Sequence, residues 1–375
     1  SRISYDFNVQ RNLKSKRYMN PKTIVVGGDF GEIPRQSRII DEIWNPYRSY
    51  IDCINGGTME DLKNIDLSSY NLILWMPNIS NEEKKFYPKK PIGSVLIISK
   101  VLRNENSEKD AISRIFKMNA NAVITIDKSK DEFVFKTIDA LGNFWWETTN
   151  PETIIHYCNW IWKVYGLSKR IRSEKIENSE NIPQPYYEDL DRFMELNRKV
   201  ASKAESMEER YFGNCSTRCN NLFPSTRVNG QILVSPRNLD KSGIFPHDMI
   251  LVESNSSVVR YYGDRKPSID TPVQIRIYQN APEINYMIHG HYYIYGAPFT
   301  KSFYPCGDLR EYDEIAEIIA KTYDNYVMGA INLRNHGFLL YSSTIDQMEQ
   351  LFEKSIFVER RIGKEQIPLG EISLR

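Results

Sequence analysis

Residues 288 to 292 read I-H-G-H-Y and place two of the chain's five histidines one residue apart. On a strand, side chains at i and i+2 leave the same face, so His289 and His291 project side by side. Two imidazoles so placed can chelate a metal, although two ordinary half-buried histidines give the same pattern. Other stretches carry weaker chemistry. G-G-D-F-G-E-I-P-R-Q-S-R, with Gly27, Gly28 and Gly31 ahead of an expected helix, is a turn of the kind that cradles phosphate on backbone N–H groups. Its spacing is neither the dinucleotide fingerprint nor a P-loop, so it reads as a structural turn, with Arg35, Ser37 and Arg38 as solvated charges. Cys215 and Cys219 lack a second cysteine pair to close a metal site, and Trp145–Trp146 reads as packing rather than a cofactor box.

The elements that must position such groups follow from patterning. Short apolar runs at 23–28, 71–76, 94–99 and 122–127, rich in Val and Ile, alternate with helical stretches near 35–45, 108–118 and 151–165. That alternation predicts an α/β domain over residues 1–167: a mostly parallel, doubly wound sheet of flavodoxin or Rossmann type, with no ligand specified. Residues 168–185 are polar, charged and closed by two prolines, and they read as a linker. A second domain is expected over 186–375, opening with a helix from Tyr187 to Ser206. The 49 basic residues nearly balance 48 acidic ones, which argues against a nucleic-acid partner. No run approaches the roughly 18 apolar residues of a membrane span. No signal peptide is visible, and five scattered cysteines suit a reducing compartment, so a cytoplasmic protein is expected.

The second domain carries five ordered motifs: F-G-N-C-S-T-R at 212–218, I-L-V-S-P-R-N within 232–253, K-P-S-I-D-T-P at 266–272, M-I-H-G-H at 287–291 and L-R-N-H-G-F-L-L at 333–340. In this order and spacing they resemble the class II aldolase and adducin family over roughly residues 187–365. The resemblance implies a class II aldolase-like α/β/α domain that binds Zn2+, or another divalent metal, through His289, His291 and His336. Three imidazoles leave one coordination position open, as a catalytic rather than a structural zinc requires. In the family's aldolases the residue at Asp270 is usually a glutamate acting as acid/base, and in its epimerases an aspartate leaning on the metal. For Asp270 both roles stay open, beside a plain helix N-cap.

The resemblance also implies a phosphate grip from Gly213, Asn214, Ser216, Ser235 and Ser268. Here Arg237 and Ile269 replace family residues, so Arg237 either supplies a bidentate phosphate contact or marks a pocket changed for another anion. The expected activity is carbon–carbon cleavage of a small sugar phosphate or related hydroxy-carbonyl anion through a metal-stabilised enediolate. Epimerase, dehydratase and decarboxylase chemistry are the same-fold alternatives, and a non-catalytic adducin-like scaffold is the alternative of another class. Tyr292, Tyr293 and Tyr304 are candidate proton donors that also read as packing. The expected partners are a small anionic sugar-like substrate and further copies of the chain in a homotetramer, with no membrane.

Overall fold

The computed structural model describes residues 20–31, 39–79, 86–105, 107–129, 131–180, 188–202, 210–219, 231–254, 258–321 and 328–368. Arg35, Ser37 and Arg38, and the ends of the helix expected over 187–206, lie outside them. The chain divides into two compact units. One comprises Ser1–Arg103, Met118–Phe135 and Glu147–Gly166; the other comprises Asn104–Lys117, Lys136–Trp146 and Leu167–Arg375.

In the first unit, β1 (Thr23–Phe30), β2 (Asp52–Gly57), β3 (Leu72–Ile79), β4 (Val95–Leu102) and β5 (Ala122–Asp127) pair in parallel in the order β2-β1-β3-β4-β5. β6 (Val134–Asp139) and β7 (Phe144–Thr148) follow in the chain, and each divides between residues of the two units. All eight residues of β1 are buried, as a strand covered on both faces must be. The intervening helices are α1 (Ile39–Trp44), α2 (Met59–Lys63), α3 (Ser107–Lys117), which belongs to the second unit, and α4 (Ile154–Ile161). The order 2-1-3-4-5 is the doubly wound one expected. Gly27 and Gly28 lie inside β1 rather than in a turn after it. A Cβ on Gly27 would stand 2.4 Å from Cδ1 of Ile40, so the glycine serves helix–sheet packing.

The second unit is built on an eight-stranded sheet with the order β15-β16-β13-β9-β10-β11-β12-β8. These strands are β8 (Ser173–Lys175), β9 (Asn214–Arg218), β10 (Gln231–Val234), β11 (Ile250–Ser254), β12 (Val259–Tyr261), β13 (Tyr286–Gly290), β15 (Met328–Leu333) and β16 (Gly337–Ser342). Neighbours are antiparallel except β8 with β12, while β14 (Tyr292–Ile294) pairs separately with β17 (Phe357–Glu359). Alternation sorts the side chains between two cores. Ile288, Leu233 and Leu340 pack with Phe193 and Met194 of α5 (Glu188–Ala201) and Met348 of α8 (Ile345–Lys354). Met287, Ile232 and Leu339 pack with Val273 and Ile277 of α6 (Thr271–Asn280) and Ile315 of α7 (Leu309–Lys321). Helices thus cover both faces of this sheet.

The segment expected as linker departs from that reading. Ser173–Lys175 adds β8 to the edge of the sheet, in register with Val259–Tyr261, and Ile171 packs against the core beside it. Backbone hydrogen bonds at an open edge can recruit a polar segment that side-chain patterning alone reads as loop. Because Leu340 is fully buried at the centre of one core, Leu340→Ala is expected to cost about 2–5 kcal/mol. Urea unfolding followed by circular dichroism measures it, and a loss below about 1 kcal/mol would contradict this packing.

Candidate metal centre

β13 runs between β9 and β16, setting His289 opposite Asn214 on one side and Leu339 on the other. His291 follows at the junction with β14. His336 closes the short turn between β15 and β16, in which Asn335 adopts a left-handed φ of 57°. The next residue must be glycine for steric reasons, because a Cβ on Gly337 would stand 1.9 Å from the carbonyl oxygen of Gly290. That close approach carries His336 to the histidine pair. Ring centroids lie 5.3 Å apart for His289 and His291, 4.6 Å for His289 and His336, and 5.2 Å for His291 and His336.

Hydrogen bonds set which nitrogen faces inward. His289 Nδ1 lies 2.7 Å from the carbonyl oxygen of Phe338, which can only accept, so Nδ1 carries the proton. Its Nε2 is buried and has no hydrogen-bond partner among the described residues. His336 Nδ1 lies 3.0 Å from Oε2 of Glu311, which likewise leaves Nε2 for the centre. The third ring, His291, stacks on Phe212 at 4.9 Å. One donor nitrogen from each histidine can be chosen so that all lie within 4.8 Å of one another. A buried imidazole nitrogen without a partner, backed by a hydrogen-bonded Nδ1, is the arrangement of a metal ligand. The residues therefore fit a divalent ion.

Asp270 stands at the N-cap position just before α6, yet its side chain does not cap the helix. Oδ1 instead accepts the N–H of Gly307 at 3.1 Å, and Oδ2 lies 3.3 Å from Nε2 of His289. Burial opposes its charge, but the facing imidazoles of His289, His336 and His291 outweigh burial and hold the carboxyl below the usual carboxylate range. His291 is held well below the ordinary imidazole range, first by burial and then by the neighbouring histidines. Burial also disfavours the His336 cation, but Glu311 overrides it and raises that histidine well above 6.5.

The expected anion-binding residues meet in one corner beside Asp270. Gly213 precedes β9, Asn214 and Ser216 lie on it, and the Ser235–Arg237 and Lys266–Ser268 segments bridge at Pro236 and Pro267. Ser235 Oγ accepts from the N–H of Cys215, and Ser268 Oγ accepts from that of Asp270, which leaves each hydroxyl proton to donate elsewhere. Asn214 Nδ2 is buried without a partner among the described residues. Ser216 is different: it is sealed under α6 by bonds to Gln274 and Tyr278. Arg237 is exposed, with Nε donating to the carbonyl of Pro267. Tyr293 accepts the N–H of Asn335 and bonds Glu365, so it supports the His336 turn.

Several supporting residues carried no sequence signal. Arg360 donates to the His336 carbonyl at 2.8 Å and to Asn143 Oδ1 at 2.6 Å. Asn143 bonds the backbone and side chain of Asn335 and is itself held by the buried Asp139, which also accepts from Trp145 Nε1. Cys306 and Glu311 flank His336 from the start of α7. A cavity of about 80 Å³ reaches the site, lined by Asn214, His289, His291, Phe212, Leu141 and Lys241 among others.

An α/β unit in which three imidazoles and a carboxylate converge offers a donor set that could hold a divalent metal. Residues 191–295, which hold Asp270, His289 and His291 but not His336, match the family model for the Class II Aldolase and Adducin N-terminal domain. Three solved structures are similar to the chain at low identity. An L-fuculose 1-phosphate aldolase shares 16% identity over 45% of this chain and 85% of that one, with a TM-score of 0.32. YgbL, a putative aldolase/epimerase/decarboxylase from Escherichia coli, shares 17% over 43% and 83%, with a TM-score of 0.31. The DNA/Pantothenate Metabolism Flavoprotein from Streptococcus pneumoniae shares 13% over 36% and 97%, with a TM-score of 0.27. No curated protein sequence matches the chain. Among the described residues, no helix is long and apolar enough to cross a membrane.

The geometry predicts about one divalent ion per chain, with Nε2 of His289 and His336 as donors. Elemental analysis of His336→Ala should show that ion lost while circular dichroism stays native. Full stoichiometry in the variant would remove His336 from the centre.

Proposed function

We propose that this chain is a zinc-dependent carbon–carbon lyase acting on a small sugar phosphate or related hydroxy-carbonyl anion. The observation that carries the reading is the convergence of three histidines, with the buried Nε2 of His289 facing the Asp270 carboxylate at 3.3 Å. The match to the aldolase and adducin model over residues 191–295 supports the same class. His289, His291 and His336 would hold the metal, which supplies Lewis acidity to substrate oxygen.

The chain's own residues do the rest. Gly307 N–H fixes Asp270 Oδ1, so Oδ2 is the atom turned toward the centre and available to move a proton. In the cleavage direction the substrate hydroxyl gives up its proton, a new carbonyl forms there, and the electron pair of the broken C–C bond passes to the fragment that already bore a carbonyl. The free protons of Ser235 and Ser268, Nδ2 of Asn214 and the guanidinium of Arg237 would receive the anionic group. A homotetramer, as the family resemblance implies, is part of the same proposal and is read by light scattering.

Asp270→Asn keeps the shape and removes the charge. A proton-transfer role predicts kcat lower by about 10²-fold or more with the metal retained, whereas metal loss would make Asp270 chiefly a ligand. Full activity in this variant would sink the mechanism. Separately, Arg237→Ala is expected to raise KM for a phosphorylated substrate about 10-fold, equivalent to about 1.4 kcal/mol. An unchanged KM would make Arg237 a surface charge.

A further inference from the structure

Lys241, in the second unit, is only 8% exposed and has no part in the mechanism above. It opens a single 3-10 turn, Lys241–Gly243, whose N-cap Asp240 accepts from the N–H and the hydroxyl of Ser242. Arg198 of α5 donates to the Ile244 carbonyl at 2.6 Å, which ties the far end of that turn to the helix. The lysine is thereby committed to the interior, where it lines the same cavity as Asn214, His289 and His291.

The charge placed there has little to answer it. Among the described residues the ammonium makes one hydrogen bond, from Nζ to the Leu239 carbonyl at 3.2 Å, and of its three N–H donors two remain free. Asp240 is exposed and engaged with Ser242, and Glu359, the one acid on the cavity lining, is exposed as well. Burial holds Lys241 below the ordinary lysine range, and Cys215 and Asp240 offset that only in part. A buried cation without a counter-charge is costly until one arrives.

A second, independent observation lies on the same lining. Asn214 is fully buried, and its Nδ2 has no partner among the described residues. Ser216 Oγ donates to Gln274 Oε1, and Gln274 Nε2 donates to Asn214 Oδ1 at 2.8 Å, so a chain of bonds fixes the amide with its N–H groups unspent. A charged donor and a neutral one, both unused and both on one cavity, suit an oxygen-bearing anion.

We propose that Lys241, together with Asn214, anchors an oxyanion of the substrate, a phosphate or a carboxylate, in the cavity beside the histidines; this rests on the function proposed above. The lysine supplies the counter-charge and the amide fixes the orientation of the anion.

Isothermal titration calorimetry of the full chain with inorganic phosphate and with acetate tests this, beside Lys241→Met, Lys241→Gln and Arg237→Ala. Lys241→Met removes the charge at similar length, while Lys241→Gln keeps a donor for the Leu239 carbonyl; circular dichroism identifies which of them holds the native fold. The expected result is a Kd raised about 10-fold or more in the folded charge-removing variants, for whichever anion the unsubstituted chain binds. Tighter binding of phosphate assigns a phosphate group, and tighter binding of acetate a carboxylate. An unchanged Kd would overturn the proposal, as would a chain that takes up neither anion. Unfolding of both lysine variants would make Lys241 a structural cation and overturn it too. A rise in Arg237→Ala alone would remove Lys241 from the subsite while leaving an anionic substrate in place. The reaction class is judged separately by Asp270→Asn, so the anchor and the lyase can each fail alone.

Discussion

The contact between Gly337 and the carbonyl of Gly290 is the constraint on which the site depends. β13 and β16 run antiparallel with Gly290 opposite Phe338, and His336 sits just before the pairing begins. A side chain at 337 would push the strands apart and carry the third imidazole away from the other two. The sheet is thereby turned into a clamp: one strand supplies His289 and leads into His291, and its neighbour supplies His336 from the turn that enters it. Antiparallel pairing fixes this register over five residues, so the histidine positions are set by backbone hydrogen bonds rather than by flexible side chains.

Around this clamp several polar groups of the described residues hold the histidines in place. Phe338 O and Glu311 fix the Nδ1 atoms of His289 and His336, Arg360 ties down the His336 carbonyl, and Asn143 holds Asn335. Such a network is costly to bury unless it is satisfied, since an unpaired buried group loses its water without compensation. The exceptions are therefore informative. Asn214 Nδ2 has no hydrogen-bond partner among the described residues, and His289 Nε2 faces only the Asp270 carboxylate, at 3.3 Å. Those are the places where a ligand would complete the hydrogen bonding and charge that the protein leaves open.

The same structure separates roles that residue type alone had merged. Ser216 and Ser235 occupy similar places in the motifs, yet Ser216 is buried in a helix–sheet contact with Gln274 and Tyr278, while Ser235 keeps a proton to give. Asp270 sits where a helix cap would sit and does not cap. Trp145 supports the His336 turn indirectly, through Asp139 and Asn143, which is a packing role with a consequence for the site.

Continuous apolar runs alternating with helical stretches in the sequence determined the parallel α/β strands of the first unit, because strands buried on both faces must be apolar throughout. The ordered motifs also singled out three of the five histidines and the corner of Asn214, Ser235 and Ser268, since the residue types that can chelate or donate are few. Tertiary structure alone decided the rest. Cys306, Glu311 and Arg360 reach His336, and Asn143 reaches Asn335, from segments 24 to 192 residues away in the chain, a closeness no local pattern encodes. Ser173–Lys175 became an edge strand because an open sheet edge offers backbone hydrogen bonds regardless of side chain. Which nitrogen of His289 and of His336 faces the centre is likewise a tertiary fact: it is set by the acceptor that the fold brings to the other nitrogen.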